Sequence, residues 1–190
     1  MALRQIVKEG DDVLNKKCRD VVKFDDRLAM LLEDMTETLR QSGGVGLAAP
    51  QVGILRRVVV IEIDPEEGVI ELINPEIIET HGTQVGLEGC LSLPGKWGIA
   101  ERPYIVTVKA QDRNGKEFTI TGEELLARAF CHELDHLDGI LYDSKVRRML
   151  TADEISKYND GELDLSDECY IEDDNGEGIY PEYHEDEECT

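Results

Sequence analysis

The chain of 190 residues is short of cations, short of aromatic rings and free of any long apolar run, and each shortage narrows what it can do. Twenty Lys and Arg stand against 42 Asp and Glu, for a formal net charge of −22 at pH 7. A field of that sign repels phosphate backbones and anionic headgroups, so neither nucleic acid nor membrane is expected as a direct partner. No stretch approaches the roughly 18 uninterrupted apolar residues that cross a bilayer. The opening Met-Ala-Leu-Arg-Gln-Ile also lacks a secretory apolar core. Cys18, Cys90, Cys131, Cys169 and Cys189 are odd in number and irregular in spacing, which argues against a secreted disulfide framework and for reduced thiols. Together these features place the protein in the cytoplasm.

What is present is unevenly spread. Of the 42 acids, 16 fall in residues 151–190 beside a single cation, Lys157. From Leu163 to Thr190 the apolar residues, among them Leu165, Tyr170, Ile171, Ile179, Tyr180 and Tyr183, keep no period. The division expected is a folded domain over 1–150 and an acidic C-terminal extension over 151–190, loosely ordered or disordered.

Within 1–150 both structural periods occur. Asp25 and Asp26 can cap a helix that carries Leu28, Leu31, Leu32, Met35 and Leu39 on one face and stops at Gly43-Gly44. Arg57 to Ile63, Val69 to Ile73 and Tyr104 to Val108 are rich in β-branched residues and read as strands. Asn114-Gly115 predicts a hairpin with a type I′ turn between Tyr104–Gln111 and Glu117–Thr121. Thr121 with Glu124 reads as a capping box opening a helix that runs through His132 and His136 toward Gly139. The class expected is α+β, a single domain of antiparallel or mixed sheets around that helix.

On this helix lies His132-Glu133-Leu134-Asp135-His136, which contains half of the four histidines. Residues at i and i+4 share one helix face, so the two imidazoles can bind a single divalent cation, with Glu133 beside them to carry a proton. A cation that activates water also needs a third protein ligand. Cys90 is the candidate, because Gly86-Leu87-Glu88-Gly89-Cys90-Leu91-Ser92-Leu93-Pro94-Gly95 is a backbone-exposing segment rather than a core strand. Cys131, about 100° around the helix from His132, suits a buried apolar role.

Three segments now carry a family resemblance. Gly44-Val45-Gly46-Leu47-Ala48-Ala49-Pro50-Gln51, Glu88-Gly89-Cys90-Leu91-Ser92 and His132-Glu133-Leu134-Asp135-His136-Leu137-Asp138-Gly139 resemble, in order and spacing, the three signature motifs of peptide deformylases. The likeness covers roughly residues 1–150. It implies a metal-dependent hydrolase that removes the formyl group from the formyl-methionine of new polypeptides and releases formate. It implies a cation held by Cys90, His132 and His136, natively ferrous iron, with zinc, nickel or cobalt able to take its place. Water activated there would attack the formyl carbon, Glu133 would shuttle its proton, and the amide of Gln51 with the backbone N–H of Leu91 would stabilise the oxyanion. Gly46 and Gly89 would pair with the substrate backbone, while Val45, Leu125, Ala129 and the His132 ring would line the methionine slot.

Two departures from the family pattern stand out. Gly95-Lys96-Trp97-Gly98 lacks an arginine that some members turn toward substrate. The acidic end replaces the basic C-terminal helix by which some members touch the ribosome, so any ribosome association would be transient and made by another route. Arg102 reads as structural, with Glu88 a possible partner. Two rival readings are a zincin-type peptidase taking Glu154 or Glu162 as third ligand, and a non-catalytic acidic interaction protein with a vestigial metal site.

Overall fold

The computed structural model describes residues 2–178. Its first long element, α1 (Asp26–Ser42), forms where the caps require it: the Asp25 carboxylate accepts from the N–H groups of Arg27 and Leu28, and Gly43 closes the helix at φ 70°. Such an end favours glycine, since the left-handed region crowds a Cβ.

Among the described residues nine strands make two sheets. The first has the order β1 (Gly46–Ala48), β2 (Val58–Ile61), β3 (Ile70–His81), β6 (Ile105–Gln111), β7 (Glu117–Glu123). The second has the order β8 (Val146–Met149), β5 (Leu93–Arg102), β4 (Thr83–Cys90), β9 (Tyr170–Glu172). Among the described residues every pairing between these strands is antiparallel, so neither sheet is mixed there.

Strand alternation explains the layering. Side chains of β2 point alternately to opposite faces. Val58 and Val60 pack with the Leu28, Leu32, Met35 and Leu39 stripe of α1, whereas Val59 and Ile61 pack with Ala127, Phe130, Cys131 and Leu134 of α2 (Glu124–Leu137). The first sheet is thus held between the two helices. The opposite face of α2 meets β4 and β5, so the His-Glu-x-x-His residues sit between the sheets.

Three sequence expectations change. Thr121 does not cap α2. Strand β7 runs on to Glu123, Thr121 bonds across the sheet to Thr107 at 2.9 Å, and the N-cap position falls on Glu123, with Glu124 at φ 49°. Cross-strand pairing has overridden the local capping signal. The hairpin is present but its turn is not type I′, because only Gly115 of the pair takes positive φ. The Asp112 carboxylate accepts from the N–H groups of Asn114 and Lys116 and stabilises a longer loop instead.

The third change concerns the acidic extension, which is ordered as far as it is described. Thr151 and Glu154 form a capping box for α3 (Ala152–Asn159), and β9 adds to the edge of β4. Leu150, Ile155, Leu163, Leu165 and Cys169 join Val85, Leu87 and Ile99 in a small apolar cluster on the outer face of the second sheet. The missing period misled because a segment that is neither helix nor strand can still bury isolated leucines. Residues 179–190, with Ile179, Tyr180, Tyr183 and Cys189, lie outside the described residues.

Ion pairs complete the attachment. Arg147 reaches Glu101 and the Tyr170 hydroxyl, Arg148 reaches Glu168 and Glu154, and His81 lies between Glu79 and Asp174. Hydrogen bonds to Asp174 and then Glu79 raise the His81 pKa above its ordinary value. A raised pKa contributes stability that is complete below the unfolded value and is lost as pH rises through the folded one. Exchange of the Tyr170–Glu172 amides is therefore expected to accelerate, beyond its intrinsic pH trend, as pH climbs above the ordinary histidine range. His81→Gln should remove that excess.

Candidate active site

A cleft of about 450 Å³ separates β1 from β4, and the sequence-selected residues converge on it. Val45, Gly46, Gln51, Gly89, Cys90, Leu91, Leu125, Ala129, His132 and Glu133 all line it. His136 stands behind His132, their ring centroids 4.9 Å apart.

The ligand atoms of Cys90, His132 and His136 lie within 4.8 Å of one another, the only such trio among the described residues. Cys90 Sγ is 3.3 Å from His136 Nε2. Two observations show that this set suits a cation. His136 turns Nε2 toward the thiol, and buried Glu133 Oε2 has no hydrogen-bond partner among the described residues. His132 Nδ1–H donates to Glu88 Oε1 at 2.7 Å, which leaves the lone pair of Nε2 free to ligate a cation beside the thiol. A carboxylate behind a histidine fixes its tautomer and strengthens it as a ligand. One thiol and two imidazoles form a borderline-soft set that suits late first-row divalent metals.

Glu88 is the hub that sequence reasoning underrated. Its carboxylate accepts a forked pair from Arg102, at 2.7 and 3.1 Å, and a longer bond from Arg128 at 3.3 Å. Arg102 also donates to Asp135 at 2.7 Å, joining β4, β5 and α2. Burial works to raise the Glu88 pKa, but His132 and Arg102 overcome it and hold the carboxyl well below the usual range. The Arg102–Glu88 pairing was legible from sequence, but its link to His132 depends on β4 lying across α2.

Gln51 is positioned by its own turn. Its Oε1 accepts the Ala48 N–H at 2.8 Å, so Nε2 is turned to Ser92 Oγ at 3.3 Å and Cys90 Sγ at 3.6 Å. Leu91 sits in the tight turn between β4 and β5, and Lys8 Nζ donates to its carbonyl at 2.7 Å.

Glu133 is buried, and burial raises its pKa to about 7, against the opposing pull of His132. A carboxyl poised near neutrality can both take and return a proton. Gly46 lies so close that a Cβ there would sit 2.5 Å from Glu133 Oε1, so glycine is needed for the backbone to approach. Apolar surface is exposed at Val45 (37%), Leu125 (47%) and Trp97 (40%), a concentration that marks a binding groove. Within the Gly95–Gly98 segment that lacks an arginine, the Trp97 ring covers Gly89.

The rival third ligands are occupied elsewhere. Glu154 Oε1 binds Arg148 and Oε2 caps Thr151, and Glu162 is exposed in the loop after α3.

Comparison with known proteins decides the family. The sequence profile described as polypeptide deformylase matches residues 3–151. The chain belongs to the polypeptide deformylase family. It is 56% identical over 157 residues to the peptide deformylase of Caldicellulosiruptor bescii, covering 83% of this chain and 93% of that one. It is 58% identical over 146 residues to that of Alkaliphilus metalliredigens, covering 77% and 98%. Among crystal structures, peptide deformylase from Thermotoga maritima superposes with a TM-score of 0.75 at 40% identity, covering 78% of this chain and all of that one. A Synechococcus elongatus peptide deformylase in complex with actinonin gives 0.74 at 38% identity, covering 84% and 87%. As a deformylase, the enzyme hydrolyses N-formyl-methionyl peptides and frees nascent chains of their formyl group. The family uses a divalent metal, and the trio of Cys90, His132 and His136 is the candidate site.

Proposed function

We propose that Cys90, His132 and His136 hold one divalent cation, Fe²⁺ in the native enzyme, with Zn²⁺, Ni²⁺ or Co²⁺ able to replace it. Bound there, the cation supplies Lewis acidity, polarising a carbonyl and making water a better nucleophile at neutral pH. The protein's own groups do the rest. Glu133 takes a proton from the attacking water and returns it to the departing nitrogen, so the C–N bond breaks with formate and a free amine as products. Gln51 Nε2 and the Leu91 N–H donate to the oxyanion as it forms, and the Ala48 bond to Oε1 keeps that donor aimed beforehand.

The substrate enters as an added strand between β1 and β4, pairing with Gly46 and Gly89, a mode that reads little of the side chains. Its methionine side chain fits among Val45, Leu125, Ala129 and the ring of His132. Residues 1–150 form the catalytic unit and 151–190 an acidic extension. Formylated chains emerge in the cytoplasm, and the free thiols of Cys18, Cys90, Cys131 and Cys169 fit that compartment. Among the described residues no helix is long and apolar enough to cross a membrane. Contact with the ribosome is transient and avoids the extension, whose charge repels RNA; the same charge disfavours direct nucleic-acid binding.

The observation that carries this reading is a three-donor cluster beside a buried, partnerless carboxylate oxygen at the floor of the cleft. Glu133→Gln is nearly isosteric and cannot accept the proton. Formate release from a formyl-Met tripeptide should fall by about 10²–10⁴-fold in kcat, the range for a lost general base, with metal content unchanged. A kcat within twofold of the parent enzyme would refute the role given to Glu133.

A further inference from the structure

The two groups given to the oxyanion belong to separate turns, and what joins those turns lies outside the cleft. Gln51 sits in the turn Ala49–Val52, and Leu91 in the turn between β4 and β5. Among the described residues no backbone hydrogen bond runs from one turn to the other. Gln51 Nε2 touches Ser92 Oγ at 3.3 Å and Cys90 Sγ at 3.6 Å, but bonds of that length are weak braces.

The N-terminal segment supplies the missing connection. The Val7 N–H donates to the Gln51 carbonyl at 2.8 Å, and the Glu9 N–H donates to the Ser92 carbonyl at 2.9 Å. Between them Lys8 Nζ donates to the Leu91 carbonyl at 2.7 Å, a charge-assisted bond. The Glu9 carboxylate also holds Lys96 of β5, at 2.6 and 2.8 Å. Three consecutive residues thus grip both turns. A peptide chain has only two soft dihedrals per residue, so pinning the successive carbonyls of Leu91 and Ser92 leaves the Leu91 N–H little room to swing. Its side chain is held as well. A Cβ on Gly44 would stand 2.8 Å from Leu91 Cδ1, so glycine lets the leucine lie against the backbone there, and Ile6 packs into the same apolar cluster.

We propose that Val7, Lys8 and Glu9 form a clasp that sets the separation of the two oxyanion donors, with Lys8 its positioning residue. The inference rests on the roles given above to Gln51 and Leu91. Lys8 is exposed and does not line the cleft, so it acts only through the Leu91 peptide. Donor spacing matters where charge develops on the formyl oxygen, which places the effect on kcat rather than on KM.

The test is Lys8→Met in the full-length metal-loaded enzyme, assayed for formate release from formyl-Met-Ala-Ser beside Lys8→Arg and Gln51→Ala. Loss of one oxyanion donor costs about 10²–10³-fold in kcat, and Gln51→Ala should fall in that range. A donor displaced but not removed costs part of that. Lys8→Met should lower kcat by about five- to tenfold, with KM changed by less than about twofold and metal content the same. Lys8→Arg keeps a cationic donor and should return kcat to within about twofold of the parent. Exchange of the Glu9 amide should quicken in Lys8→Met, while the melting temperature of a variant at so exposed a site should hardly move. A parental kcat in Lys8→Met, an equal loss in Lys8→Arg, or a loss carried by KM would overturn the clasp. Gln51→Ala at the parental kcat would instead refute the oxyanion roles beneath it.

Discussion

Replacing Cys90 by alanine is expected to abolish cation binding and formate release while leaving the fold intact. The thiol is half-buried at the end of β4; it accepts long bonds from the Ser92 N–H at 3.4 Å and Gln51 Nε2 at 3.6 Å, while the β4–β5 pairing around it is made by the backbone. Its loss removes the one anionic donor of the trio and leaves two imidazoles, a set that cannot hold a divalent ion against a chelator. Metal analysis after dialysis should fall from about one ion per chain to a small fraction of that. Activity should follow it down, because the Lewis acid is gone. Thermal unfolding of the two apo proteins should nearly coincide. Cys90→Ala retaining a full complement of metal would favour a ligand set of the zincin kind. That outcome would require Glu154 or Glu162 to leave its present place, and Glu154 is bound to Arg148 and Thr151. Formate release by the parent enzyme answers the remaining rival, a protein whose metal site is vestigial.

Glu88→Ala is expected to damage stability and metal affinity together. The carboxylate is 4% exposed and takes hydrogen bonds from Arg102, Arg128 and His132. Removing it leaves buried Arg102 with Asp135 as its one remaining carboxylate and Arg128 with neutral acceptors only, and breaking a buried ion pair from one side costs about 3–5 kcal/mol. For a chain of this length, that lowers the melting temperature by roughly 10 °C at neutral pH. His132 also loses the partner that fixes its tautomer, and a lost carboxylate behind a metal-bound histidine costs about 10–100-fold in affinity. The sign with pH is fixed by the depressed carboxyl. Its contribution is complete above the ordinary carboxylate range and is lost only as pH falls through the depressed folded value. The gap between parent and variant should therefore persist across mildly acidic conditions and close only in strong acid. Calorimetry from pH 4 to 8 checks the first half, and a gap that vanished by pH 5 would remove Glu88 from this role.

How far the sequence disclosed this molecule depended on whether the deciding forces were local. The α1 helix was legible because its cap, its stripe and its glycine stop lie within one segment, and the structure reproduces all three. The candidate metal trio was legible because two of its members lie one helical turn apart and the third lies in a glycine-rich segment, which the structure forms as the end of β4 rather than as a turn. The capping box at Thr121 failed for the opposite reason: pairing with Thr107 on β6 kept the chain extended for two more residues. The hairpin turn was misassigned because the Asp112 side chain, outside the Asn114-Gly115 dipeptide, organises the loop. Glu88 was seen only as a partner of Arg102, since its bond to His132 joins residues 44 positions apart. The extension was judged by charge and absent period, and neither quantity registers a single leucine that finds a pocket.

That pocket sets where the protein can be cut. The family match stops at residue 151, yet Leu163, Leu165 and Cys169 roof an oily patch formed by Val85, Leu87 and Ile99. An expression plasmid trimmed to the homologous boundary would bare those side chains to water beside the mouth of the cleft. Such a fragment is a poor surrogate for inhibitor screening, because hydrophobic compounds would find a sticky decoy next to the genuine target.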